Sequence, residues 1–333
     1  MKALVTGGGG FLGGGIVQAL LARGDTVRSL ARSDYPELRR QGAEVVRGDI
    51  ADPEAVEAAA QGCDVVFHVA ARVGAAGAYD DFHSTNVQGT QNVIDACRKQ
   101  GVERLVYTST PSVVFGHEDL EGVDESMPYA TEFEAFYPQT KAEAERRVLD
   151  SHDDALRTIA IRPHIVWGPG DTSLLPRLLE RASRLRRIKG PPKKTDVTYI
   201  DDAVRAHLLA ADSLESNPDA VSGRPYFVST GEPIEIWTFI DRVLQAAGKP
   251  AITKTASPKA AMAAGWVLEK VHAMTGARGE PRLSRWIVRE LTCSHWFDIG
   301  ASRRDLGYEP SVTIDEGMVR LTQWVKDGGL ARA

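Results

Sequence analysis

Cysteine is scarce in this 333-residue chain. Cys63, Cys97 and Cys293 cannot all pair with one another and include no C-x-x-C spacing, which argues against a disulfide framework and against a zinc site. No metal is expected. Long apolar runs are missing too: no stretch reaches the roughly 18 apolar residues that could span a bilayer, and a strand begun just after Met1 leaves no room for a signal peptide. A reducing cytoplasm fits these features. Nor does charge of one sign dominate. There are 40 Lys and Arg against 45 Asp and Glu, a formal charge of -5, with 43% hydrophobic and 26% charged residues. That balance speaks against disorder and against nucleic-acid binding.

Glycine, by contrast, is concentrated where it can act. In MKALVTGGGGFLGGGIVQALL, Ala3 to Thr6 read as a short buried strand and Ile16 to Leu21 as one face of a helix. Gly7, Gly10 and Gly13 fall on the turn between them with G-x-x-G-x-x-G spacing. Such a turn lets backbone N–H groups approach a pyrophosphate with no Cβ in the way, so the stretch outlines a dinucleotide site. Further apolar runs follow at 26–31, 44–48, 64–70, 104–110 and 158–163, with helical patterns between them, as at Pro53 to Gln61 and Ser84 to Gln100. This alternation predicts an α/β protein: a Rossmann-type, doubly wound parallel sheet with helices on both faces.

After Gly168-Pro169-Gly170 the pattern shifts to longer helices, and all six tryptophans lie at or beyond Trp167. We therefore expect a dinucleotide-binding domain over 1–166, with 196–228 returning to it. A smaller, mainly helical C-terminal substrate lobe then comprises 167–195 and 229–333. The tryptophans serve either helix packing or the wall of an apolar pocket. Arg177 to Lys194 holds eight Lys or Arg against one Glu, which fits a solvated helix face or attraction of an acidic substrate. Ser257 to Ala277 reads as an amphipathic helix able to touch lipid at the periphery.

The glycine fingerprint calls for an acidic residue about 20 positions on, to hold the adenosine ribose. Arg32 stands there, followed by Ser33. Arginine suits a 2′-phosphate through charge-assisted bonds, so NADP(H) is favoured over NAD(H); the alternative is a solvated Arg32 with Asp34 on the ribose. In Tyr137-Pro138-Gln139-Thr140-Lys141, Pro138 marks a helix start, and Tyr and Lys four apart share a face. A neighbouring ammonium and the positive end of a helix would both favour the phenolate, so Tyr137 is expected to exchange a proton near neutrality. Upstream, Thr108, Ser109 and Thr110 end a strand with three hydroxyls, any of which could orient a substrate oxygen.

Together, TGGGGFLG (6–13), GDIAD (48–52), HVAA (68–71), NVQGT (86–90), TSTPSVVFG (108–116), YPQTK (137–141), RPHIVWGPGD (162–171) and TYIDDAVRAHL (198–208) resemble the extended short-chain dehydrogenase/reductases over essentially the whole chain. The stretch RPH-x-x-x-GP-x-D looks like the 3β-hydroxysteroid dehydrogenase branch, whereas nucleotide-sugar epimerases usually carry an asparagine there. The resemblance implies that Gly7, Gly10, Phe11 and Leu12 line the pyrophosphate turn. Asp49 and Ile50 would flank adenine, with Ala70 and Ala71 on the ribose side and Pro163 and Ile165 beside the carboxamide. Tyr137 becomes the general acid/base, and Lys141 the group that holds the nicotinamide ribose. Thr110 stands where the family has a catalytic serine, with Ser109 as the fallback. Asn86 would organise backbone behind the site, and His164 would meet a substrate carboxylate or pack on the sheet.

The implied activity is NADPH-dependent reduction of the ketone of a long-chain 2-alkyl-3-oxo acid, an apolar small-molecule substrate. The alternatives are 3β-hydroxysteroid or sterol-4α-carboxylate dehydrogenation, the latter with loss of CO2, and a non-catalytic NADP(H) sensor. The family also implies a homodimer joined through the helices near Ser84 to Gln100 and Tyr137 to Asp150.

Overall fold

In the computed structural model, which describes residues 1–275 and 280–331, the apolar runs become a seven-stranded parallel sheet. Its strands are β1 (Lys2–Thr6), β2 (Thr26–Ala31), β3 (Glu44–Arg47), β4 (Val65–His68), β5 (Arg104–Thr108), β6 (Arg157–Pro163) and β7 (Arg224–Val228). They lie in the order β3-β2-β1-β4-β5-β6-β7. Strands covered on both faces need apolar residues on both, and β4 is buried throughout. Alternate residues feed two cores. Ala3, Val5, Phe67, Val106 and Ile159 pack under helix α1 (Phe11–Ala22). Leu4, Val66, Leu105 and Ala160 meet Val56, Val93, Ala144 and Val148 of α2 (Pro53–Ala60), α3 (Gly89–Gln100) and α4 (Phe136–Asp150).

The later elements divide between the sheet and a lobe. Helix α6 (Ile200–Ser216) lies against α1 so closely that a Cβ on Gly15 would stand 2.7 Å from Val204, and β7 then extends the sheet beside β6. Before it in the chain comes α5 (Leu174–Arg181); after it come α7 (Ile236–Ala246), α8 (Pro258–Thr275) and α9 (Arg285–Glu290). A third core of Ile188, Trp237, Leu244, Ile252, Ala261 and Val288 joins them. Of the amphipathic stretch expected over Ser257 to Ala277, Gly276 and Ala277 lie outside the described residues.

One element has no counterpart in the sequence reading. Four short strands, Ile234–Glu235, Lys194–Thr195, His295–Phe297 and Leu120–Val123, form a second sheet in that order. Strands of two to four residues are too short to display an alternating period.

Candidate active site

Every strand of the large sheet points the same way, so all their C-terminal ends open on one edge, where ligands of such sheets bind. Neighbours β1, β4, β5 and β6 deliver Gly7 to Gly10, Ala70 and Ala71, Ser109 and Thr110, and Pro163 to Ile165 side by side. Strand β2 ends at Arg32 and Ser33, and β3 leads to Asp49 and Ile50. The candidates spread over more than 150 positions of sequence thus share one rim.

The first turn fits a pyrophosphate. Gly7 has φ +72°, and a Cβ there would come within 2.9 Å of the Ala70 backbone. A Cβ on Gly13 would come 2.3 Å from the Gly7 carbonyl oxygen. Helix α1 starts from Gly10 with no capping side chain. The first-turn N–H groups of Phe11 and Leu12 have no intrahelical acceptor, which is the arrangement that receives an anion. A cleft of about 840 Å³, lined by Gly9, Gly10, Phe11, Tyr35 and Gly170 among others, runs beside this turn. Asp49 accepts from Ala51 N at 3.0 Å, and the Ile50 carbonyl accepts from Asn92 at 2.9 Å, which fixes the loop after β3.

Behind the rim runs a buried chain of polar groups. Burial pushes His68 down to about 3, so its ring is neutral. One nitrogen meets the Thr6 hydroxyl at 2.8 Å and the other that of Thr90 at 2.9 Å. Thr90 donates to the Asn86 carbonyl, and Thr6 accepts from the N–H groups of Val69 and Ala70. Asn86 sits in a π-helical turn, His83–Gln88, a feature frequent at functional sites. Its amide pins both backbone groups of Arg72, at 2.7 and 3.0 Å, and donates to Thr140 at 3.0 Å. The loop after β4 is thereby tied to the helix that carries Tyr137.

Helix α4 begins at Phe136, so Pro138 falls in its first turn, where a missing N–H is harmless. Tyr137 and Lys141 do share a face, but their electrostatics differ from the expectation. Burial raises the Tyr137 phenol to about 12; the adjacent Thr110 hydroxyl opposes the rise, and the charge of Glu290 adds to it. The Lys141 ammonium donates to the Thr108 carbonyl at 2.6 Å and lies 4.0 Å over the Tyr107 ring. Burial pulls that ammonium down to about 7, against the opposing attraction of Glu145. At neutral pH the phenol is therefore protonated, the state a proton donor needs, and a phenolate poised near neutrality is not what this geometry holds.

Two further groups support the pair, the first of them missed in the sequence. Glu145, one turn beyond Lys141, accepts from Arg162 at 2.5 and 3.0 Å with both side chains buried. Burial would raise the Glu145 carboxyl, but the guanidinium overcomes this and holds it low. The four-residue spacing from Lys141 was the available signal. Trp286 of α9, one of the tryptophans read as either helix packing or a pocket wall, packs 6.0 Å from the Tyr137 ring. Thr110 accepts from Ser112 N at 3.2 Å as the cap of a short turn. The Ser109 hydroxyl is buried and lies on the side of the Glu145 carboxylate, which it helps to hold low.

Ile165 is held at φ +42°, a left-handed conformation that is an outlier for a β-branched residue. Its carbonyl accepts from Thr198 N at 3.2 Å. His164 packs inward: its Nε2 meets His295 Nδ1 at 2.7 Å, and its ring lies edge-on to Phe297 at 5.6 Å. Ligand atoms of His164, Glu290 and His295 lie within 4.8 Å of one another, yet the imidazoles use their facing nitrogens on each other. His295 Nε2 also donates to the Glu290 carbonyl at 2.7 Å, so the group is a hydrogen-bonded cluster whose two rings meet edge-on. At the other end of the rim, Arg32 is exposed and its side chain has no ion pair among the described residues. Asp34 is engaged by Arg39 at 3.1 Å.

Fold and rim together define an NAD(P)-dependent oxidoreductase of the short-chain dehydrogenase/reductase type. The profile of the 3-beta hydroxysteroid dehydrogenase/isomerase family matches residues 4–257, and the chain belongs to that family. Within it, the chain is 47% identical over 325 residues to a 2-alkyl-3-oxoalkanoate reductase of Stenotrophomonas maltophilia, covering 96% of this chain and 98% of the relative. It is 42% identical over 328 residues to the enzyme of the same name from Shewanella oneidensis, with coverages of 96% and 85%. Among solved structures, a short-chain dehydrogenase/reductase superfamily protein from Agrobacterium tumefaciens with bound NAD superposes with a TM-score of 0.76 at 22% identity, over 100% of this chain and 99% of the other. That likeness speaks to the fold.

Proposed function

We propose that this protein uses NADPH to reduce the ketone of a long-chain 2-alkyl-3-oxo acid to the secondary alcohol. The observation that carries the reading is the protonated Tyr137 phenol beside the Thr110 hydroxyl at the end of β5. It sits on a chain that resembles two reductases of that name over nearly its whole length. The bound nicotinamide would supply hydride to the carbonyl carbon. Tyr137 gives its proton to the carbonyl oxygen, and Thr110 fixes that oxygen by a hydrogen bond. Gly7, Gly10, Phe11 and Leu12 hold the pyrophosphate, Arg32 and Ser33 the 2′-phosphate, and Lys141 the nicotinamide ribose. The rest of the rim (Asp49, Ile50, Ala70, Ala71, Ser109, Pro163 and Ile165) shapes the cofactor groove.

A panel of 3-oxo acids of increasing chain length, run beside 3β-hydroxysteroids with each cofactor and followed by nicotinamide absorbance, tests the substrate. Turnover per KM should climb with chain length, because each buried methylene is worth about 0.8 kcal/mol. Tyr137→Phe should bind NADPH normally and lose roughly two to four powers of ten in kcat. NAD-linked oxidation of a 3β-hydroxysteroid with no response to acid chain length would favour the second reading, which the family match supports. Binding of NADP(H) with no turnover of either class would leave the sensor.

For assembly we propose a two-fold homodimer through α3 and α4. Phe136 opens α4 with 42% of its surface exposed and packs edge-on to Tyr79 at 5.5 Å, presenting an apolar corner beside those helices. Light scattering at micromolar concentration should give twice the chain mass, and a monomer would refute it.

A further inference from the structure

Helix α8 carries three sets of residues. In the first, Gly265 meets the backbone of Ser284 and Arg285, where a Cβ would stand 3.0 Å away, and Glu269 accepts from Arg285 at 2.7 and 2.8 Å, tying α8 to α9. In the second, Ala260, Ala261, Ala264 and Leu268 line a cavity of about 1050 Å³. The third is Trp266, Val267, Val271 and Met274, between 48% and 84% exposed. Among the described residues seven large apolar side chains are exposed. Four are these, and a fifth, Val73, lines the same cavity.

The cavity is rimmed by cations. Arg177, Arg181, Arg184, Arg186 and Arg282 border it, against the acidic Glu180 and Glu280. Arg177 and Arg181 share Glu280. Arg184, Arg186 and Arg282 have no ion pair among the described residues, and all three are exposed. On a chain whose formal charge is -5, this local excess of positive charge sits directly beside the exposed apolar face of α8.

Exposed tryptophan and aliphatic side chains next to unpaired arginines match a surface that is apolar within and anionic at its edge. A purely acidic partner would satisfy the arginines and leave Trp266 and Met274 in water. No helix among the described residues is long and apolar enough to cross a membrane, so the contact is one of lying on the surface. We propose that the α8 face and the arginine rim seat this lobe on an anionic lipid surface, and that the cavity opening there admits the substrate from the lipid. The second clause rests on the long-chain substrate proposed above; the first does not.

Vesicle co-sedimentation of the full chain, without cofactor or substrate, tests the seat. Binding to phosphatidylcholine vesicles containing phosphatidylglycerol should exceed binding to phosphatidylcholine alone by about tenfold and fall as salt is raised. The Arg184→Glu/Arg186→Glu double variant should lose about tenfold or more on the anionic vesicles. Trp266→Ser/Met274→Ser should lose binding on both kinds. Parent-like melting temperatures confirm that the variants fold, and a blue shift of tryptophan emission on binding that disappears in Trp266→Phe places the contact at α8. Equal binding to neutral and anionic vesicles, or parent-like binding by the variants, overturns the proposal. Vesicle binding without any 3-oxo acid turnover would overturn the functional reading and leave the seat standing.

Discussion

Replacing Lys141 by Met should make the protein more stable while abolishing its activity. Lys141 is 2% exposed, and burial lowers its ammonium from 10.5 to about 7. At 1.36 kcal/mol per unit, folding at pH 7 carries an unfavourable contribution of about 5 kcal/mol from this group. Methionine keeps most of the apolar stem and removes the charge. It also removes the bond to the Thr108 carbonyl and the contact with Tyr107, which together return about 2 kcal/mol. The net gain is about 3 kcal/mol. With an unfolding entropy of about 2.1 cal/mol/K per residue, a chain of this length should melt roughly 4 °C higher. The sign with pH is fixed: the unfolded chain holds the Lys141 proton up to pH 10.5, whereas the folded one releases it near 7. Wild-type stability therefore rises between those values, and the gap to the variant closes as pH rises. Thermal melts at pH 7 and near pH 9.5 decide the matter. A variant that melts at or below the wild type at pH 7, or a gap unchanged at the higher pH, would refute the reasoning.

Other outcomes follow from the same geometry. Arg32→Asp should weaken NADPH by on the order of 2 kcal/mol, about thirtyfold, and NADH much less; equal affinity of the parent for both cofactors in a fluorescence titration would sink that assignment. Asp196 is 1% exposed, and burial raises its carboxyl to about 7 even though Phe297 N donates to it at 2.7 Å. The folded state keeps the proton to higher pH than the unfolded one, so stability falls between about pH 4 and 7, by on the order of 4 kcal/mol. Asp196→Asn should flatten that slope and melt higher than the parent at pH 8, with little difference at pH 4.5. A parent-like slope in the variant would show that the carboxyl ionises normally.

The large sheet was legible because each strand, buried on both faces, is written as an apolar run with a helical pattern after it. The glycine turn, Pro138 in its helix start and the one-turn spacing of Tyr137 and Lys141 were legible for the same reason: local geometry dictates them. What escaped depends on contacts between distant segments. The phenol pKa went the wrong way because spacing on a helix says that two side chains share a face, and does not say how deeply the phenol is buried. The hydrogen-bonded imidazole pair joins positions 131 residues apart. The cations of 177–194 read first as a solvated face, with an acidic-substrate site as the alternative, until the cavity beside α8 was in view. Of the six tryptophans, Trp286 lies against Tyr137, whereas Trp167 is spent on Tyr199 and Phe239 in the core.

The small second sheet gives the molecule a timetable. Its Leu120–Val123 strand emerges early in synthesis, but its neighbour His295–Phe297 comes from near the C-terminus, with Ser294 N bonded to Asp119 across 175 positions. By residue 163 the ribosome has delivered six of the seven strands of the large sheet, with the glycine turn after the first. At 5–20 residues per second the wait for His295 is on the order of ten seconds. At the start of that interval the first six strands exist without the residues from Pro169 to Leu208 that wall one side of the cleft beside the glycine turn, and until its end without the strand that completes the second sheet. Cleft and second sheet are thus both late products of synthesis, closed by segments that the first six strands must wait for.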